Sequence, residues 1–268
     1  MQAPLETAMA ELCFGAEVDP RDDEAVRAWL DAHGVSDEDR DYLLAANRER
    51  LFVYRSLVRG TLWEALHASI PRTMARLGGV FEEYFDAFLK DAGPRTHYLR
   101  DAIAEFLTYA APLWLNDPRV PAYIPELARH EHSQILVGSM LARDPAVQPE
   151  ALELDAGLCF IEAVKLMHYD HAVHELTDSE ADRTPPVARP THLLVYRNPE
   201  HEVRYLELSP LAARIVEATL EERCSLRDAL THSCEELGTE LDDTVLSGTA
   251  HLLADLAERG VLLGPARD

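Results

Sequence analysis

The stretch Thr191-His192-Leu193-Leu194-Val195-Tyr196-Arg197-Asn198-Pro199-Glu200-His201-Glu202-Val203-Arg204-Tyr205-Leu206-Glu207-Leu208-Ser209-Pro210 decides the fold. Leu193 to Tyr196 is an apolar run that stops at Asn198-Pro199, and Val203, Tyr205 and Leu206 resume it as strand formers. This order predicts a two-stranded hairpin with a loop of four or five residues. Ser209 before Pro210 then marks a helix start, because the hydroxyl can cap free amides and proline at the first position gives up no needed donor. Leu211, Ala212, Ile215, Val216 and Leu220 supply that helix with one apolar side.

Working outward, Ser225 and Asp228 open a second helix with Leu226, Ala229, Leu230 and Leu237 inward. Aspartate reaches back to the cap less well than the glutamate of a full capping box. A third helix starts near Asp242, carries Val245, Leu246, Leu252, Leu253 and Leu256, and stops at Arg259-Gly260, a basic last turn before a left-handed C-cap. Val261-Leu262-Leu263 is a short closing strand. A hairpin, three helices and a strand make a winged-helix-like module.

Modules of this shape often bind DNA, and the charge argues against that use here. His201 to Asp268 holds fourteen Asp/Glu against six Arg/Lys, a net of minus eight, and the third helix has almost no basic side chain before Arg259. Over all 268 residues the balance is 48 acidic to 25 basic, a net of −23. A duplex binder must neutralise phosphates and release their counterions, so nucleic acid and anionic membranes are disfavoured partners. No apolar run approaches the roughly eighteen residues of a membrane span, and no charged-then-apolar signal segment is seen. A cytoplasmic location is expected. The cysteines Cys13, Cys159, Cys224 and Cys234 are scattered, unlike a zinc knuckle.

The expected architecture is mainly α (α+β): a helical domain over 1–176, a polar linker over 177–190 and the winged-helix-like domain over 191–268, with its small β-hairpin. In the first domain, helices are predicted over Ala8 to Phe14, Asp22 to Ala32 and Ser36 onward, the last running on through Leu43, Leu44, Leu51 and Tyr54. A further helix over Leu57 to Met74 bends or restarts at Ile70-Pro71. Phe81, Tyr84, Phe85, Phe88 and Leu89 form the densest aromatic stripe, at the spacing of a core-facing helix. Ala102 to Trp114 and Tyr123 to Leu141 read as helices, and Pro145 to Pro149 as a turn. Leu158 to Leu176 fits either a strand followed by a helix or one buried helix.

The sharpest chemical pattern is His168, His171 and His174, with Asp170 and Glu175 beside them. On a helix these steps of three would lie along one side, where His130 or His132 could complete a metal sphere. The segment lacks a His-Glu-x-x-His motif, and ordinary surface or interface histidines are the favoured reading. Cys159 sits in the apolar run Leu158-Cys159-Phe160-Ile161, where burial would quiet a thiol. Gly78-Gly79 lacks the lysine and hydroxyl of a phosphate cradle. No catalytic residue, metal or cofactor is assigned to this chain.

Two residue groups resemble a known family. Tyr54-Arg55, Leu62-x-Glu64-Ala65-Leu66, Ile70-Pro71 and Leu77 resemble the start of the DUF2063 domain, often labelled a DNA-binding domain. Pro121, Tyr123-Ile124-Pro125-Glu126-Leu127-Ala128-Arg129 and Glu131 resemble its second signature, although the order is shifted in detail and His130 replaces a usual leucine. Leu206-Glu207-Leu208-Ser209-Pro210-Leu211-Ala212 is the best local match to the further domain of such proteins. The resemblance is to HvfC/BufC-type partner proteins of DUF692-type TIM-barrel multinuclear iron oxidases, which modify ribosomally made peptides. It implies a non-catalytic partner subunit, with iron in the partner enzyme, that helps bind a ribosomal precursor peptide. It also implies structural or interface roles for Tyr54, Arg55, Glu64, Tyr123, Arg129 and Glu131, with Arg55 and Glu131 as one pairing. Leu193, Leu194, Val195, Tyr196, Val203 and Tyr205 are the peptide-binding residues if one hairpin edge accepts the peptide as an added strand; the alternative is a wing covered by the first domain.

Overall fold

The computed structural model describes residues 4–14, 18–19, 21–45, 49–96, 98–142 and 151–266. The turn expected at Pro145 to Pro149 lies outside the described residues, as do the side chains of Tyr54 and Cys13. The chain divides into two compact units: Met1–Ala128 with Asp178–Arg183, and Arg129–Thr177 with Thr184–Asp268.

The first unit is helical. It contains α1 (Pro4–Phe14), α2 (Asp23–Ala32), α3 (Asp37–Ala45), α4 (Glu49–Ser69), α5 (Pro71–Leu77), α6 (Gly79–Asp91), α7 (Leu99–Trp114) and the start of α8 (Ile124–Gly138). Asp22 caps α2 by accepting from the amides of Glu24 and Ala25. Proline forces the break between α4 and α5, with Pro71 in the first turn of the new helix. The aromatic stripe of α6 is core: Phe81, Phe85 and Phe88 are buried, and Phe106 of α7 meets all three with centroid distances of 5.2, 6.5 and 5.5 Å. Trp63 of α4 closes edge-on against Phe81 and Phe85.

The second unit contains the rest of α8, β1 (Leu158–Phe160), β2 (Val164–His171), a 3-10 turn (Val173–Glu175), β3 (Ala188–Arg197), β4 (Val203–Leu208), α9 (Pro210–Leu220), α10 (Leu226–Leu237), α11 (Asp243–Glu258) and β5 (Leu262–Pro265). The hairpin, the three helices and the closing strand stand in the order predicted. Ser209, Ser225 and Asp242 cap their helices through the amides of Ala212, Asp228 and Val245. Asp228 does not reach a backbone amide of the cap; its carboxylate accepts from the Ser225 hydroxyl at 2.8 Å. Asn198 organises the five-residue loop by accepting from the Glu202 amide at 2.8 Å, with Arg197 and Val203 as the last pair before it. Gly260 has φ +72°, and a Cβ there would lie 2.9 Å from Pro199 Cγ, so the hairpin tip rests against the end of α11 at a position only glycine serves without strain.

Two readings change. The segment over Leu158 to Leu176 forms neither a single buried helix nor a strand followed by an α-helix. It holds β1, β2 and the 3-10 turn. β2 pairs with β3 from Val164↔Tyr196 to His171↔Ala188, so the sheet has three strands in the order β2-β3-β4, all antiparallel. This pairing draws residues before Thr177 into the second unit. β3 is central, not an edge: Leu193, Leu194, Val195 and Tyr196 are all buried, with strands on both sides.

The alternating sides of the sheet have different neighbours. Leu166, Leu194, Tyr196 and Leu208 join Ile215, Val216, Leu230, Leu253 and Leu256 in one core with the three following helices. Tyr169 and Tyr205, on the other side, meet His130 of α8 with centroid distances of 5.9 and 5.1 Å. Leu194 is 0% exposed at the centre of this arrangement. Leu194→Ala is expected to cost about 3 kcal/mol through lost burial and a residual cavity, measurable as a lower denaturant midpoint with an unchanged slope.

Candidate functional site

Covering both faces of the sheet leaves its edges as the places where backbone groups can take a new partner. Among the described residues no strand lies outside β2 or β4. The two edges differ. β2 has a register irregularity between Tyr169 and His171, whereas β4 keeps six successive pairs from His192↔Leu208 to Arg197↔Val203 without a shift. Bulges obstruct strand addition, and an unbroken edge permits it.

β4 also offers side chains to either side of its edge. Tyr205 is 39% exposed, with its hydroxyl 3.4 Å from Ser133 Oγ and its ring beside His130. Val203 is half-buried and lies against Gly138, where an added Cβ would be 3.3 Å from Val203 Cγ2. On the opposite side Leu206 is half-buried and Arg204 is exposed. Of the six peptide-binding candidates, Val203 and Tyr205 therefore lie on an edge strand, and Leu193 to Tyr196 form the buried strand beside it.

The histidines do not share a helix face. His168 is paired across the strands with His192, and their Nδ1 atoms are 2.7 Å apart. That contact needs one proton between two nitrogens, with one ring donating and the other accepting. His168 Nε2 lies 3.7 Å from Glu217 of α9. His171 is at the irregular end of β2 opposite Ala188, and His174 is in the 3-10 turn. His174, Glu175 and Glu207 place one possible ligand atom each within 4.8 Å of one another. Arg189 competes for this group: its guanidinium donates to Glu207 and Glu175 at 2.6 Å each, and His174 Nε2 lies 3.2 Å from the other Glu207 oxygen. One guanidinium thus bridges both carboxylates and ties the 3-10 turn to β3 and β4.

The signature residues fall on different elements. Arg129 of α8 donates to the His168 carbonyl at 2.7 Å, and its guanidinium lies 5.3 Å from the Tyr169 ring centroid. It thereby fastens the helix to β2. Glu131 is buried on α8, Tyr123 is half-buried just before that helix, Arg55 is half-buried on α4 and Glu64 is exposed there. Cys159 is half-buried on β1, not sealed in a core as its neighbours suggested. Sequence reasoning missed His192 and Arg189, whose partners become visible only once β2 is paired with β3.

Burial first, and then the adjacent His168, push the His192 imidazole below its ordinary range, against an opposing pull from Glu217. A histidine with a depressed folded pKa stabilises the fold above its unfolded value of about 6.5, and that contribution is lost as the pH falls. The unfolding temperature is expected to drop between pH 7 and pH 5, and to drop less in His192→Gln. Circular dichroism melts at both pH values measure this. Arg129→Leu should lower folded yield and reduce the unfolding midpoint by a few degrees; loss of partner binding with normal yield and melting would instead make Arg129 a contact residue.

Among the described residues, no helix is long and apolar enough to cross a membrane. A comparison with curated proteins finds no match. The model of the HvfC C-terminal domain matches residues 162–257. The matched span begins just before β2 and ends in α11, so it takes in the whole three-stranded sheet and the helices packed on it. Over residues 162–257 the chain is therefore similar to the HvfC C-terminal domain.

Proposed function

We propose that this chain is the non-catalytic partner of a TIM-barrel multinuclear iron-dependent oxidase and presents a ribosomal precursor peptide to it, with β4 receiving the peptide as an added strand. The observation that carries the reading is the unbroken outer edge of β4 within the HvfC C-terminal domain. Main-chain hydrogen bonds to β4 would supply affinity with little demand on sequence, and alternate peptide side chains would meet Tyr205 and Val203 on one side and Leu206 on the other. The iron belongs to the partner; this chain's share of the work is binding and orientation. Tyr54, Arg55, Glu64, Tyr123, Arg129 and Glu131 serve the fold or the contact with the oxidase.

The competing DNA-binding reading lacks an electrostatic basis. α11, in the place of a reading helix, has no Lys or Arg between Asp243 and Glu258. Without phosphate neutralisation the winged-helix shape does not assign a nucleic-acid function.

Co-purification from the native cell extract at moderate salt, analysed by mass spectrometry, tests the partnership. A TIM-barrel iron protein is expected to be recovered with the chain. Recovery of nucleic acid in its place, lost steeply as salt rises, would overturn the proposal.

A further inference from the structure

A second surface of the C-terminal unit is separate from the β4 edge. The α10 and α11 helices, with the strap around Leu154, enclose a hollow of about 400 Å³. The strap is fixed in place by two backbone hydrogen bonds, from the amides of Leu226 and Arg227 to the carbonyls of Ala156 and Leu154. Leu230 stands on one wall, and Leu246, Ala250, Ala254 and Ala257 run along α11; among the described residues no charged side chain lines the hollow. Leu246 is 41% exposed and Leu154 42%, so the groove is apolar and open to solvent. Leu246 to Ala257 spans about 16 Å at the helical rise, roughly three turns of a partner helix.

The rim determines the charge of the occupant. Residues 226–258 hold eight acidic side chains and one basic, Arg227, which is bound to Asp155. Among the described residues Glu153, Asp243 and Glu258 have no cationic partner. Glu153 immediately precedes Leu154, Asp243 is one turn before Leu246, and Glu258 follows Ala257. These unpaired carboxylates flank an uncharged groove at both ends.

We infer that the α10–α11 groove docks an amphipathic helix of a partner polypeptide, with an apolar stripe seated in the groove and Lys or Arg flanking it. The apolar stripe supplies burial and the basic flanks supply orientation against the acidic rim. Docking here needs neither the oxidase nor a peptide on β4, so it can fail while the proposed function stands.

Three labelled peptides test it on the full chain by fluorescence anisotropy: an amphipathic Leu/Lys helix, a Ser/Lys peptide of the same charge, and a Leu/Glu helix. The Leu/Lys peptide is expected to bind saturably and to weaken as salt rises, with the other two at least about tenfold weaker. Ala250→Gln with Ala254→Gln, at two exposed positions, fills the groove without changing charge. This variant is expected to lose about tenfold in Leu/Lys affinity with an unchanged melting curve; if it unfolds, Leu246→Gln is the substitute. The inference is overturned by no saturable Leu/Lys binding, by Ser/Lys binding as tightly as Leu/Lys, or by a folded groove variant that binds normally.

Discussion

Backbone pairing of β2 with β3 is the constraint on which the C-terminal unit depends. Seven residue pairs give β3 a second neighbour besides β4, and its side chains are then taken up on both faces. Leu194 and Tyr196 enter the core shared with α9, α10 and α11. Among the described residues, β2 and β4 are the edge strands of the sheet. β2 ends in an irregular register held by the Arg129 contact, and the cross-strand His168–His192 pair fastens it to β3. The proposed role of β4 as an accepting edge rests on this asymmetry.

Local signals made the last third of the chain readable. Ser209-Pro210, Ser225, Asp242 and Gly260 each act within a few residues of their own position, and each performs the capping or turn role its chemistry suggests. The aromatic stripe of α6 was equally legible because its periodicity and burial agree. The centre of the sheet was harder. Leu193-Leu194-Val195-Tyr196 has no polar alternation, which marks a strand covered on both faces. By contrast, Arg204 and Glu207 interrupt the apolar residues of β4 as expected of an edge. The run itself thus held the information that β3 is central, but its missing partner was encoded elsewhere. In β2, Val164 and Leu166 alternate with Lys165, yet the three-step spacing of the histidines favoured a helical reading. Tertiary pairing overrode that period.

The candidate site follows the same logic. Val203 and Tyr205 could be named from strand propensity, whereas the exclusion of Leu193 to Tyr196 required the sheet order. His174 and Glu175 read in sequence as a surface or interface group with a metal site as the alternative, and the structure adds Arg189 as the partner of Glu175 and Glu207. Its position opposite them depends on β3 passing beside both the 3-10 turn and β4. Acidic residues throughout the domain serve helix caps, clamps and solvated rims, and no part of that pattern favours a phosphate backbone.

The most direct measurement is site-specific photo-cross-linking in the proposed complex of this chain with an oxidase and a precursor peptide. A photoreactive side chain would replace Arg204 on β4 or Lys165 on β2, both exposed strand positions. The account predicts peptide cross-links from position 204 and none from 165. Cross-links from 165 alone, or from neither position while the peptide is still modified, would contradict it.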